Sequence, residues 1–285
     1  MPRGDKPVFR RLSATLGPVA SVLVLAYLGF CGYLYFFQER LLFHPDVLPA
    51  DYRFHRAADV HELTIPVPGA SLSALHLRLP NPKGIVFYLH GNGGNVESWF
   101  VQNDFYRQAN FDLFMLDYRG YGKSSGRIES QEQLLADIGV AWERIAALYP
   151  GRVKVLYGRS LGTGPAALLA AQVHPELTIL ASPYCSMAAM ARRSYPWVPS
   201  WLLRYPLATA AAAAAMTTPL LLIHGEDDTL IPPSESGCVQ AAAPAARVHR
   251  IAAAGHNDLH ESPAYRELLR TTLEALPAGP GGPAR

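Results

Sequence analysis

Cysteine is scarce in this chain of 285 residues: Cys31, Cys185 and Cys238 are too few and too scattered for a disulfide framework or a zinc site. Their spacing leaves the redox compartment open. An excess of one charge is missing as well. Lys and Arg number 25 against 23 Asp and Glu, a formal net charge of +2, which argues against nucleic acid as the main partner. No internal repeat is present, so the chain is not a solenoid or an array. His224, His256 and His260 match no metal-ligand spacing, and the reading calls for no metal and no cofactor.

One further absence is informative. From Leu12 to Gln38 there is no charged residue, and Val19 to Phe37 is almost wholly apolar or aromatic. That stretch is long enough to cross a bilayer as one helix. Arg3, Lys6, Arg10 and Arg11 precede it with only Asp5 against them, which places the N-terminus in the cytoplasm and everything after Glu39 on the far side. Tyr33, Tyr35, Phe36 and Phe37 read as an interfacial aromatic belt. A cleaved signal peptide would want small residues where Tyr33 to Phe37 stand, and a lipoprotein signal would want a small residue where Phe30 precedes Cys31. A buried helix would be striped, whereas this one is apolar all round. The expectation is an uncleaved single-pass anchor with the lipid bilayer as partner, and a catalytic domain outside the cytoplasm (periplasmic in a bacterium).

Beyond the anchor the chain alternates. Residues 61–67 and 71–79 read as a hairpin turned at Pro68-Gly69. The continuous apolar run at 84–89 reads as a strand buried on both faces, and 111–116, 153–157, 177–181, 219–223 and 247–252 read as further strands. Helices are expected over 96–109, from the cap Ser130 toward Tyr149, from Leu161 to Val173, and over 234–243 and 263–276. Strands alternating with helices give an α/β fold: a mostly parallel sheet with helices on both faces and an antiparallel edge. The organisation expected is 1–38 N-terminus and anchor, 39–60 connector, 61–277 α/β domain, and 278–285 flexible tail. An insertion at 183–218 reads as a small cap of two short helices over the site, offering Trp197, Trp201, Leu202 and Leu203. Its alanine run, 210–215, reads as compositional bias that makes a passable helix.

The chemistry starts at Gly158-Arg159-Ser160-Leu161-Gly162, a G-x-S-x-G between a strand and a helix. The glycines let strand and helix approach, the tight turn lifts the serine Oγ clear of the sheet, and the helix N–H groups face the place where an oxyanion would form. A serine hydroxyl needs a base to take its proton, and that base needs an orienting acid. His256 lies in a loop past the last strand, where a base belongs, with His260 as its local rival. After the strand ending at Ile223, three carboxylates stand together: Glu226, Asp227 and Asp228. His90 and His224, each ending a strand before a glycine, read as residues that hold loops.

Together Gly158–Gly162, His224-Gly225-Glu226-Asp227-Asp228 and Gly255-His256-Asn257-Asp258 resemble the α/β-hydrolase superfamily. His90-Gly91-Asn92-Gly93-Gly94-Asn95 and the stretch from Leu116 to Gly126, with Asp117, Tyr118, Arg119, Gly120, Tyr121, Gly122, Lys123 and Ser124, narrow the resemblance to its small membrane-anchored branch, whose animal members include lysophospholipases and protein depalmitoylases. The resemblance implies Ser160 as nucleophile, His256 as base and Asp228 as the acid, with the N–H groups of Leu161 and Asn92 as oxyanion hole. Asp117 and Arg119 belong to the same signature, and the role expected of them is an ion pair that fixes the loop. The function it implies is a membrane-anchored serine hydrolase cleaving esters or thioesters of acyl or lipid substrates. A peptidase of the same fold and a catalytically silent, membrane-tethered binding protein are the alternatives.

Overall fold

The structure, a computed structural model, describes residues 7–279. Arg3, Asp5 and Lys6, the side chains of Arg10 and Arg11, and tail residues 280–285 lie outside the described part. Helix α1 (Pro7–Phe36) is followed directly by α2 (Gln38–Leu42). Within α1 the 20 residues Gly17–Phe36 have a mean hydropathy of 1.9 and stand almost clear of the rest of the chain, which makes them long and apolar enough to cross a membrane. Leu25, for instance, is 68% exposed.

Strands β1 (Val60–Val67) and β2 (Ala70–Leu77) form the expected hairpin, with Val67 opposite Ala70 and Gly69 at φ 75°. A two-residue connection needs that positive φ, which glycine adopts without strain. The chain continues through β3 (Gly84–Leu89), α3 (Val96–Trp99), α4 (Asp104–Gln108), β4 (Phe111–Leu116), α5 (Gln131–Ala146) and β5 (Val153–Arg159). Then come α6 (Thr163–Val173), β6 (Leu177–Ala181), α7 (Met187–Ser194), α8 (Thr209–Ala214), β7 (Leu220–Gly225), α9 (Ser234–Ala242), β8 (Arg247–Ile251) and α10 (Pro263–Ala275). The eight strands make one sheet in the order β1-β2-β4-β3-β5-β6-β7-β8, and only β2 runs against the others.

Alternation within the strands sends side chains to two cores. Phe87, Phe114, Leu156 and Leu222 face α5, α6, α8 and α9, while Val86, Leu113, Val155 and Leu221 face α3, α4 and α10. Helix α5 shows why the sequence folds so: Leu134, Ile138, Ala141, Trp142 and Ile145 recur at helical spacing and are buried as one stripe. Its N-terminus is capped as expected, with Ser130 Oγ accepting from the Gln133 N–H at 3.0 Å.

Three expectations are corrected. The helix expected over 96–109 is broken into α3 and α4, because Phe100 turns into the core and Gln102 adopts a left-handed φ of 54°. Arg119 does not pair with Asp117. Its Nε and Nη2 clasp Asp137 of α5 at 2.5 and 2.8 Å, while Asp117 accepts the N–H of Val96 at the start of α3 at 2.8 Å. The loop after β4 is thus tied to two helices by two separate residues.

The third correction concerns the 183–218 insertion, none of whose residues is among those lining the cavity beside Ser160. Phe30 of α1 packs on Trp197 with ring centroids 5.3 Å apart, and Tyr27 Oη donates to the Trp197 carbonyl at 2.9 Å. Gln38, 6% exposed, donates to the Leu202 carbonyl and accepts from the Arg204 N–H at 3.0 and 2.7 Å. The expected cap is therefore a bracket between the N-terminal helix and the α/β body. The alanine run has a packing role within it. Ala212 and Ala213 of α8 are buried among α6 and α9, where small side chains allow close helix approach. Two of the three cysteines meet as well: Cys185, before α7, is disulfide-bonded to Cys238 of α9, a single staple across 53 residues.

Candidate active site

The carboxyl ends of β3, β5, β7 and β8 deliver their loops to one place. At the end of β5 the chain turns so sharply that Ser160 has φ 50°, a left-handed conformation costly for a residue with a Cβ. The flanking glycines are required by contact. A Cβ on Gly158 would lie 2.6 Å from the Gly162 carbonyl oxygen, and one on Gly162 would lie 2.2 Å from that of Leu89. A three-residue 3-10 turn, Ser160–Gly162, then leads into α6.

His256 lies between Ser160 and Asp228. Its Nε2 is 2.9 Å from Ser160 Oγ and its Nδ1 is 2.7 Å from Asp228 Oδ2. The second oxygen of Asp228 accepts the N–H groups of Leu230 and Ile231 at 3.1 and 2.8 Å. Burial on its own would raise this carboxyl. Hydrogen bonds from His224, His256 and the Ile231 N–H outweigh it and hold the pKa well below the usual carboxylate range. Asp228 is therefore ionised, and a neutral His256 carries its proton on Nδ1 and presents a bare Nε2 to the serine.

Of the three carboxylates after β7, only Asp228 points at the imidazole; Glu226 and Asp227 are exposed. Asp258 instead accepts the Gly255 N–H at 2.7 Å and fixes the turn that carries His256. The N–H groups of Leu161 and Asn92 take part in none of the hydrogen bonds of the turn and loop among the described residues. The Asn92 side chain faces the connector, donating to the Leu42 carbonyl at 2.7 Å and accepting from the His44 N–H at 3.0 Å. Loop-holding by histidine is equally direct. His90 Nδ1 is 2.8 Å from the Gly91 carbonyl oxygen, and Tyr118 Oη donates to the His90 carbonyl at 2.8 Å.

Ser160 and His256 open onto a cavity of about 390 Å³. Beside Asn92, Ser160, His256 and His260, most of its wall is built by residues that the motifs do not mark. The sheet contributes Tyr88, Leu113 and Met115, the broken α3–α4 segment contributes Trp99, Phe105 and Tyr106, and α10 contributes Tyr265. Trp197, Trp201, Leu202 and Leu203 are not among the lining residues, and Trp201 is 78% exposed. The wall-formers stand on five separate elements with no motif of their own. The one available signal is the aromatic density between Trp99 and Tyr106, within the segment expected to be a helix. Such a set can hold an apolar chain against a polar reacting end.

Comparison with known proteins bears on the family. A model described as serine aminopeptidase, S33, matches residues 80–210. The alpha/beta hydrolase domain-containing protein aho-3 of Caenorhabditis elegans is 30% identical over 202 residues, 69% of this chain and 59% of that protein. The chain thus spans less than two thirds of that relative's length. An uncharacterized protein of Mycobacterium tuberculosis is 28% identical over 251 residues, 85% of this chain and 88% of that one. Among solved structures, the Pyrococcus furiosus esterase Pf2001 superposes with a TM-score of 0.63 at 17% identity, over 82% of this chain and 97% of that one. With its mostly parallel sheet and these likenesses, the chain belongs to the α/β-hydrolase superfamily.

Proposed function

We propose that this protein is a membrane-anchored serine hydrolase that cleaves carboxylic ester or thioester bonds of acyl or lipid substrates. The observation that carries the reading is the relay from Ser160 Oγ through His256 to Asp228, at 2.9 and 2.7 Å, on the wall of a largely apolar cavity. Ser160 Oγ bonds to the substrate carbonyl carbon as His256 Nε2 takes its proton. The N–H groups of Leu161 and Asn92 hold the oxyanion. Collapse breaks the bond to the alcohol or thiol, which leaves with the proton from His256. Water then repeats the sequence on the acyl-enzyme, with His256 again as base, and frees the acid. The apolar walls favour acyl chains.

A peptidase is the second reading, since the matching family model is described as an aminopeptidase. The cavity weighs against it: no Asp or Glu lines it, so a substrate's free ammonium would find no counter-charge there. Gly17–Phe36 serves as the anchor in this proposal, with the domain on the non-cytoplasmic side. The Cys185–Cys238 disulfide supports that side, because disulfides persist in oxidising compartments.

The test is labelling by a fluorophosphonate probe, followed by nitrophenyl esters of graded chain length beside an aminopeptidase substrate. Strong labelling of wild type, absent in Ser160→Ala, with turnover of the esters is expected. Equal labelling of both proteins would refute the nucleophile, turnover of the aminopeptidase substrate alone would favour the peptidase, and no turnover of either would favour the silent binding protein. A reporter fused at the C-terminus reads the side of the membrane.

A further inference from the structure

Arg159 immediately precedes the proposed nucleophile and is 2% exposed. Its Nη2 donates to the main-chain carbonyl of His256, and its buried Nε has no hydrogen-bond partner. No carboxylate among the described residues forms an ion pair with it. The hydroxyls of Tyr265, Tyr157 and Tyr88 stand near it, and the carboxylate that acts on it from further off, Asp228, is already engaged by His256. A buried guanidinium without a counter-ion is unusual, because desolvating a charge is costly unless something pairs with it.

This cation belongs to the wall of the Ser160 cavity, where no Asp or Glu stands opposite it. Burial raises the pKa values of Tyr88 and Tyr265, so both keep their O–H protons. Around Arg159 the cavity thus offers a cation and neutral hydroxyls. The planar guanidinium suits the oxygens of a carboxylate or a phosphate.

We propose that Arg159 determines specificity: the cavity takes an ester or thioester that bears a second, anionic oxygen group, and this group docks on the guanidinium while Ser160 meets the scissile carbonyl. The proposal rests on the hydrolase reading above and names its substrate class.

The experiment uses the full chain in detergent with three nitrophenyl esters of matched length. One acyl tail ends in a carboxylate, one in a phosphonate and one in a neutral methyl ester. Wild type should favour one or both charged esters over the neutral one by about tenfold or more in kcat/KM, the worth of one charge-assisted contact. Arg159→Met should abolish that preference and Arg159→Lys should keep part of it. The relative rates of the two charged arms identify the anion.

A different result, in which Arg159→Met slows all three esters equally, would mean that the residue only holds the His256 loop, and the proposal would fall. If wild type cleaves no ester, the hydrolase reading fails by itself. Anion docking is then decided by calorimetry of the carboxylate ester on Ser160→Ala, and equal binding by Ser160→Ala with and without Arg159→Met overturns it.

Discussion

His224 and Asp228, four residues apart, meet at the back of the proposed triad: His224 Nε2 lies 2.7 Å from the Ile231 carbonyl oxygen and 3.4 Å from Asp228 Oδ2. A carbonyl only accepts, so His224 Nε2 carries its proton. The same N–H therefore leans on the carboxylate that steadies His256. The acid is held from behind by one histidine while it orients the other.

Replacing Asp228 by Asn keeps the shape and removes the charge. The amide would select the wrong tautomer of His256, so kcat on a nitrophenyl ester should fall by about 10³ to 10⁴ with little change in KM. Steady-state kinetics at pH 7 decide this. A loss under tenfold would mean that Asp228 does not orient the base.

The approach of α6 to the end of β3 leaves no room at Gly162. A methyl there would sit 2.2 Å from the Leu89 carbonyl oxygen and 2.6 Å from that of His90, both parts of the backbone. Gly162→Ala should cost about 3 kcal/mol in urea unfolding, at the upper end of overpacking penalties. It should also disturb the loop that carries Asn92.

Stability should depend on pH through His76. Burial, with Arg78 and His61 adding to it, pushes this imidazole's pKa down to about 3, and it shares the Tyr149 hydroxyl with Asp112. The unfolded chain, with an ordinary histidine near pKa 6.5, binds more protons between those values. Stability therefore falls as pH drops below about 6.5, with a slope approaching 1.4 kcal/mol per pH unit. Burial raises the pKa of Asp112, which acts in the opposite sense only at the acid end. His76→Gln should flatten the decline between about pH 6.5 and 5, as read by urea unfolding across that range.

The cysteine staple yields to a mass measurement. Alkylation of the unfolded, unreduced chain should add one group, at Cys31, and prior reduction should raise this to three. Opening a bridge that spans 53 residues should lower stability by about 4 kcal/mol at most on the loop-entropy estimate.

The fold was readable where physics is local. The run Gly84–Leu89 is apolar on both faces because helices cover both, and the structure has strands with the expected bounds there and at Phe111–Leu116. Ser160, Asp228 and His256 also come together as the order of motifs implied. The break at Phe100–Asn103 was hidden, since no Gly or Pro marks it and Phe100 continues the apolar pattern. That break shapes the cavity, so its walls were hidden too. An aromatic such as Trp197 reads the same in composition whether it faces a ligand or a helix, and here it faces Phe30. Arg119 and Asp137 are 18 residues apart and the two paired cysteines 53, so in each case the fold, not the spacing, makes the pairing.

Gln38 is the residue at which any shortened, soluble version of this protein should be made to begin. A cut just before it would keep the clasp on Leu202 and Arg204, together with the Phe43 ring wedged edge-on against Tyr205. A cut after Leu42 would unseat that stretch and leave main-chain groups of the bracket without partners. Either cut bares the face of Trp197 that Phe30 now covers, so Trp197 is the first surface position to exchange for a polar residue if the trimmed protein clumps.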